Sequence, residues 1–254
     1  MPKQMPKRLI GTAPIECGFN ALESGSAHGR NGAQRRLEET GMKMARSFVV
    51  AGAAPLIVGL AGLFAQTAHA DQAYVAPLSS LNSTVAGHHA EGDLRLTVSG
   101  DIVTIDLEAR GLPPGMMHMA HLHGYVSGKN STCPTAGADT NHDGVIDLEE
   151  TEPAAGVTMI PLNAAPADLD IASNSYPTAS RDGRFTYKQQ VSLRALTQKI
   201  AGAFDGAAPD FAKRVIFVHG VDAASPLPKT AASLPGVPAQ ATLPIACGKL
   251  TQAK

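Results

Sequence analysis

The residues with the densest chemistry lie between Met116 and Glu150, where two metal-site patterns of different character follow one another. The first is Met116-Met-His-Met-Ala-His-Leu-His123. In a β-strand, residues two apart face the same way at a spacing of about 6–7 Å, so His121 and His123 can present two imidazoles to one ion. Val215-Ile-Phe-Val-His219 is a second β-branched run ending in histidine, and a third nitrogen arrives if both runs belong to one sheet. Three imidazoles suit copper or zinc, and Met117 and Met119, on the parity of His121 and His123, add thioethers of the kind that favour Cu(I). Met119 is therefore a further candidate ligand, and the alternative for both methionines is core packing.

The second pattern is harder. Asp139, Asn141, Asp143, Gly144, Val145, Asp147 and Glu150 fill positions 1, 3, 5, 6, 7, 9 and 12 of an EF-hand calcium loop. Ca²⁺ seeks six to eight oxygens, Gly144 allows the sharp turn, Val145 offers its carbonyl, and Glu150 can give two oxygens at once. Pro134 and Gly137 interrupt the approach and Pro153 follows closely, so the sequence predicts a calcium loop without its helix pair. Lacking the lever that a sensor swings, the ion would be structural.

Those residues need strands to hold them. Leu94, Leu96 and Val98 alternate with polar residues, Ser99-Gly-Asp101 turns, and Val103, Ile105 and Leu107 alternate back as a hairpin. Gly111-Leu-Pro-Pro-Gly115 then turns the chain into the histidine-rich strand. Further strands are predicted over 157–162, 185–191, 214–219 and 243–250, with one short helix carrying Leu193, Leu196, Ile200 and Phe204 and ending at Gly206. The expectation is an all-β Greek-key sandwich or barrel with one helix and a long calcium-binding loop. The adjacent pair His88-His89 points to opposite sides of an extended chain and is expected to be exposed.

The 254 residues carry a formal charge of -1, an average over unlike parts. Residues 1–41 are polar and aperiodic, expected as a non-native or disordered extension. Residues 42–70 have the form of a secretory signal: a basic stretch, an apolar run from Phe48 to Phe64, and Ala68-His-Ala70 as cleavage site. The domain proper is then 71–254, where 13 Lys and Arg meet 18 Asp and Glu, giving -5. No basic patch points to nucleic acid, and after cleavage no membrane segment is expected. Two cysteines remain, Cys133 and Cys247, which in an exported protein read as one disulfide.

Taken together, Gly111–Gly115 with His118-Met-Ala-His121-Leu-His123, then Val218-His219-Gly220, then Ala246-Cys247-Gly248, resemble the Cu/Zn superoxide dismutase superfamily in order. The histidine pieces are also similar to chordin-type repeat domains. The resemblance implies that His121, His123 and His219 ligate copper and that Cys133 pairs with Cys247. It also implies a zinc subloop of three histidines and an aspartate, yet only His142 lies between Cys133 and His219, so zinc is not expected and the calcium loop takes over the folding of that connection. His142 becomes a candidate fourth copper ligand. Pro244 stands where the family carries an arginine that steers the superoxide anion. The expected function is an exported, most simply periplasmic, copper-binding protein that dismutates superoxide with copper alone, calcium serving as a staple. The alternatives are a non-catalytic protein that sequesters or delivers the copper ion, and a β-domain whose only metal is calcium. The sequence is silent on oligomeric state.

Overall fold

A computed structural model describes residues 71–254; the predicted extension (1–41) and signal segment (42–70) lie outside the described residues. Nine strands form one antiparallel sheet: β1 (Gln72–Ser80), β2 (Glu91–Ser99), β3 (Ile102–Arg110), β4 (Ala120–Gly124), β5 (Val157–Pro161), β6 (Phe185–Ser192), β7 (Val215–His219), β8 (Pro244–Lys249) and β9 (Thr251–Gln252). Four helices accompany them: α1 (Ser83–Ala86), α2 (Leu148–Ala155), α3 (Leu193–Ala203) and α4 (Ala239–Thr242). The chain is thus mostly β, as expected, in a strongly curled, barrel-like sheet of order β5-β4-β7-β8-β1-β2-β3-β6, with β9 added beside β1.

The alternation that predicts the first hairpin produces it: β2 and β3 pair from Glu91↔Arg110 to Ser99↔Ile102, and Leu94, Leu96, Val103, Ile105 and Leu107 are fully buried. Strand β1, which the sequence reading leaves unassigned, is the hinge of the sheet. Gln72–Leu78 pair with β2, Tyr74 and Val75 with β9, and Ser79 and Ser80 with β8. Pro77 would break a ladder in a doubly paired strand, but it falls in the gap between β9 and β8 pairing.

The expectation of one helix is corrected. α3 forms where predicted, capped by the Ser192 side chain on Ala195 N–H. α2 forms as well, against the reading of Pro153 as a breaker. Asp147 accepts from the amides of Glu149 and Glu150, while Glu150 reaches back to the Asp147 amide, a capping box that starts the helix at the last turn of the acidic loop. Pro153 only forfeits one late backbone bond, and Gly156 ends the helix.

Parity sorts the two faces of β4, β7 and β8. Ala120, Leu122, Ile216, Val218 and Ala246 join the main core inside the curl. Val215, Phe217 and Cys247 pack on the outer face, where a smaller apolar cluster includes Ala155. The metal-type histidines are on that outer face, roofed by the connections between strands.

Candidate metal centre

β4 and β7 are neighbours, with His121 opposite Phe217 and Ala120 opposite Val218. A bulge in the β7–β8 pairing between Val218 and His219 shifts the register, so His219 lies opposite Pro244. The result gathers His121, His123 and His219: their donor nitrogens lie within 4.8 Å of one another, and all three residues are buried. Nitrogens bound to one ion at about 2.0–2.1 Å stand roughly 3.3–3.5 Å apart, so a small closing movement completes the set. Among the described residues no other three His, Cys, Asp or Glu side chains converge in this way.

The hydrogen bonds assign the rings. His219 Nδ1 is 2.7 Å from the Thr242 carbonyl and His123 Nδ1 is 3.3 Å from the Gly156 carbonyl. A carbonyl only accepts, so each Nδ1 carries the proton and each Nε2 presents a lone pair, the arrangement by which metal-binding histidines are usually oriented. His219 Nε2 has no partner, and neither ring nitrogen of His121 has one. His123 Nε2 faces the Thr158 hydroxyl at 3.0 Å, a contact that a metal would displace. Leaving three ring nitrogens buried and unpaired costs about 1–3 kcal/mol each, a cost that packing alone does not repay and that an ion would.

Burial also sets their charge. It is the largest cause of the depression of His121 well below the usual imidazole value, with His219 and His123 adding to it; burial likewise pushes His123 down to about 3 and His219 to about 4. All three are therefore neutral at pH 7, the form that binds metal.

The rings are braced from outside the motif. Tyr176 meets His121 edge-on at 5.3 Å between centroids, and Phe217 meets His123 at 4.8 Å. Arg214, fully buried just before β7, spends its guanidinium on the carbonyls of Pro209, Ala208 and Tyr125, and the same guanidinium with its Cδ fills the space that a Cβ on Gly124 would need. Thr158, Gly156, Thr242, Tyr176 and Arg214 carry no spacing signal in the sequence; only the folded arrangement reveals them.

Met119 and Met117 line a cavity of about 500 Å³ together with His121 and His219, in keeping with their predicted side of the strand. His142 is not brought to the cluster: it is exposed at the fourth position of the acidic loop, in left-handed backbone at φ 58. His118 is buried but turned away, bridging the carbonyls of Pro113 and His219. The acidic loop turns most of its side chains onto its own amides, while Asp143 also accepts from the Thr230 hydroxyl and Asp147 from the Ala232 amide. Asp139 accepts from Asp143 and Gly144, Asn141 from Asp143, Asp143 from Val145, and Glu150 from Thr140, Asn141 and Asp147. Gly144 takes φ +89 at the turn, and Val145 and Ile146 are buried. The disulfide Cys133–Cys247 is present. No helix of the described residues is long and apolar enough to cross a membrane. No protein-family model matches the chain, and no curated protein matches it.

Proposed function

We propose that the protein is an exported copper-binding protein of superoxide dismutase-like, Greek-key architecture, in which His121, His123 and His219 hold the copper and loop 139–150 holds a structural calcium. The observation that carries the copper reading is the buried trio itself, with two Nδ1 atoms tied to carbonyls and the remaining nitrogens of His121 and His219 unpaired. Imidazole alone would serve zinc equally. The thioethers of Met117 and Met119 beside His121, with no carboxylate in the converging set, favour copper. The all-antiparallel curled sheet, and a disulfide from the long connection to β8, support the architecture and passage through an oxidising compartment.

Copper held here would supply one-electron exchange; the chain supplies three neutral, buried imidazoles, of which His121 and His219 border an open cavity. That access supports dismutation of superoxide as the catalytic reading. The cavity lining includes no Asp, Glu, Lys or Arg, so no side chain there helps the metal draw in an anion, which favours sequestration or delivery of copper. The calcium reading rests on the twelve-residue spacing and on Gly144, Asp147 and Glu150 adopting the turn and helix start that the template requires. Asp139 Oδ1 and Oδ2, Asp143 Oδ1 and Glu150 Oε2 accept one amide each and retain a second lone pair for a cation, whereas Glu150 Oε1, which accepts from Thr140 and Asn141, would exchange one of those bonds for the ion.

One preparation tests all of this: metals counted per chain after incubation with copper, zinc and calcium, then assayed for dismutation. One copper per chain lost in His219→Ala, with one calcium unaffected, is expected. A protein that takes no copper while keeping calcium would overturn the copper reading, and copper without activity would leave the binding function.

A further inference from the structure

Two of the three imidazoles are held by carbonyls, His123 by Gly156 and His219 by Thr242. Each carbonyl ends a segment whose other end is fastened to one buried side chain, Asp147. Asp147 divides its carboxylate between them. Oδ1 accepts the amides of Glu149 and Glu150 at 2.9 and 3.2 Å and so starts α2. That helix has 8 residues and closes on Gly156, whose carbonyl meets His123 Nδ1 at 3.3 Å. Over only about 12 Å a helix is stiff, so fixing its start fixes its end.

The second oxygen has no part in the cap. Oδ2 accepts the Ala232 amide at 2.6 Å, in the irregular connection between β7 and α4. The next residue, Ser233, donates its single hydroxyl proton to the Val237 carbonyl at 2.7 Å, so at the 2.8 Å contact with Thr242 it accepts from Thr242 Oγ1. The Thr242 carbonyl is the one that holds His219. Asn82 braces the hub from beside it: its side chain bonds the amide and carbonyl of Ile146 and also the carbonyl of Pro244, the residue opposite His219.

We propose that Asp147 is a positioning residue of the metal centre: through α2 it sets His123, and through Ala232, Ser233 and Thr242 it sets His219, so that one carboxylate keeps two of the three ligands in register. The proposal rests on the reading of the three histidines as a metal set and is independent of whether loop 139–150 takes calcium.

The variants separate the two ties. Asp147→Asn keeps an oxygen for the helix amides but turns an NH₂ toward the Ala232 amide, donor against donor, and breaks only the second tie. Ser233→Ala breaks the same tie further along, and Asp147→Ala breaks both. Asp101→Ala is the control, an acidic side chain that accepts from Ser192 and the Arg194 amide at the start of α3. Copper(II) alone is the probe, in calcium-free buffer, followed by competition with a chromophoric chelator and by electron paramagnetic resonance. Loss of the partners that orient metal-binding histidines weakens binding about 10- to 100-fold; the lower end is expected for Asp147→Asn and Ser233→Ala and the upper for Asp147→Ala, each with an altered copper spectrum, and no change for Asp101→Ala even where it melts lower. In the metal-free protein the ring ¹H–¹³C signals of His219 should move in Asp147→Asn and Ser233→Ala, those of His123 should move as well in Asp147→Ala, and those of exposed His89 should stay. If the alanine variant does not fold, the asparagine and Ser233 variants carry the same decision. The proposal is overturned if the His219 signals of both stay at their parent positions, or if Asp101→Ala weakens copper as much as Asp147→Asn does. A parent that takes no copper, with the ring signals moving as expected, sinks the metal reading and leaves Asp147 as the residue that sets the two rings; copper uptake with unmoved rings sinks only this proposal.

Discussion

His121 is the residue on which structure and function pull in opposite directions. The residue is 3 % exposed and its ring is braced by Tyr176, yet neither nitrogen has a partner, so in the metal-free chain it is a buried polar group without compensation. Replacing it by leucine, of similar bulk and without polar atoms, should stabilise the metal-free protein by about 1–2 kcal/mol in a denaturant melt. The same change should remove the rise in melting temperature that copper gives the parent, because stabilisation by a ligand follows its affinity for the folded state. If His121→Leu is instead destabilising without metal and still takes up copper stoichiometrically, the ring is serving the core and the trio is not a metal set. The sequence shows this residue through its two-residue spacing from His123. It cannot show that His121 alone has both nitrogens free, since that depends on which carbonyls the β5 and β8 flanks bring near the other two rings.

At the scale of elements, β2, β3 and α3 are legible because each carries its own period, β7 through its β-branched run and β4 through its spaced histidines, and parity alone places His121 and His123 on one side. β1 is not, although Tyr74, Ala76 and Leu78 alternate inward; small Ala76 weakens the pattern and Pro77 argues against a strand until the switch of partners is seen. α2 is hidden for another reason: Asp147 and Glu150 are at once positions 9 and 12 of the calcium template and the two ends of a capping box, and the metal pattern masks the helix start. That dual role makes a prediction. Glu150→Gln keeps an acceptor for the backbone amides but gives up a bidentate anionic ligand, so the melting temperature should fall by several degrees in calcium and by little in chelator. Equal shifts in both buffers would leave the capping box as the residue's whole function. The end of the same helix gives a second prediction. Gly156 holds φ +76 and ψ -165, a region open essentially to glycine only, and an added Cβ would collide with the Gly124 carbonyl. Gly156→Ala should cost about 2–3 kcal/mol. Since the Gly156 carbonyl anchors His123 Nδ1, copper affinity should drop at least tenfold in material that still folds.

For the molecule as a whole, the histidine face depends on a roof that the curled sheet does not itself provide. The connection after β4 crosses that face with few regular hydrogen bonds: Ser131 N–H to Lys213, Thr132 N–H to Ala154, and then Cys133 joined to Cys247 of β8. Cys247 belongs to the apolar patch with Val215 and Phe217, and the Phe217 ring lies against His123, so the disulfide fixes the roof to the strand beside the metal-type residues. The sequence indicates the pairing from two cysteines in an exported chain; that the bond clamps this face follows only from the sheet order. With its ends 114 positions apart in sequence, the cross-link restricts the unfolded chain by about 4–5 kcal/mol on the chain-entropy view. Reduction should therefore lower global stability by that order and, before global unfolding, loosen the roof first. Hydrogen exchange should accelerate at Ser131 and Thr132 under reducing conditions while the β2–β3–β6 amides, buried in the longest ladders, keep their protection. Copper should leave the reduced protein faster than the oxidised one, since the outer face that holds His123 is no longer clamped. Uniform acceleration of every amide, with an unchanged copper off-rate, would mean that the bond stabilises the fold as one unit and has no special relation to the metal centre.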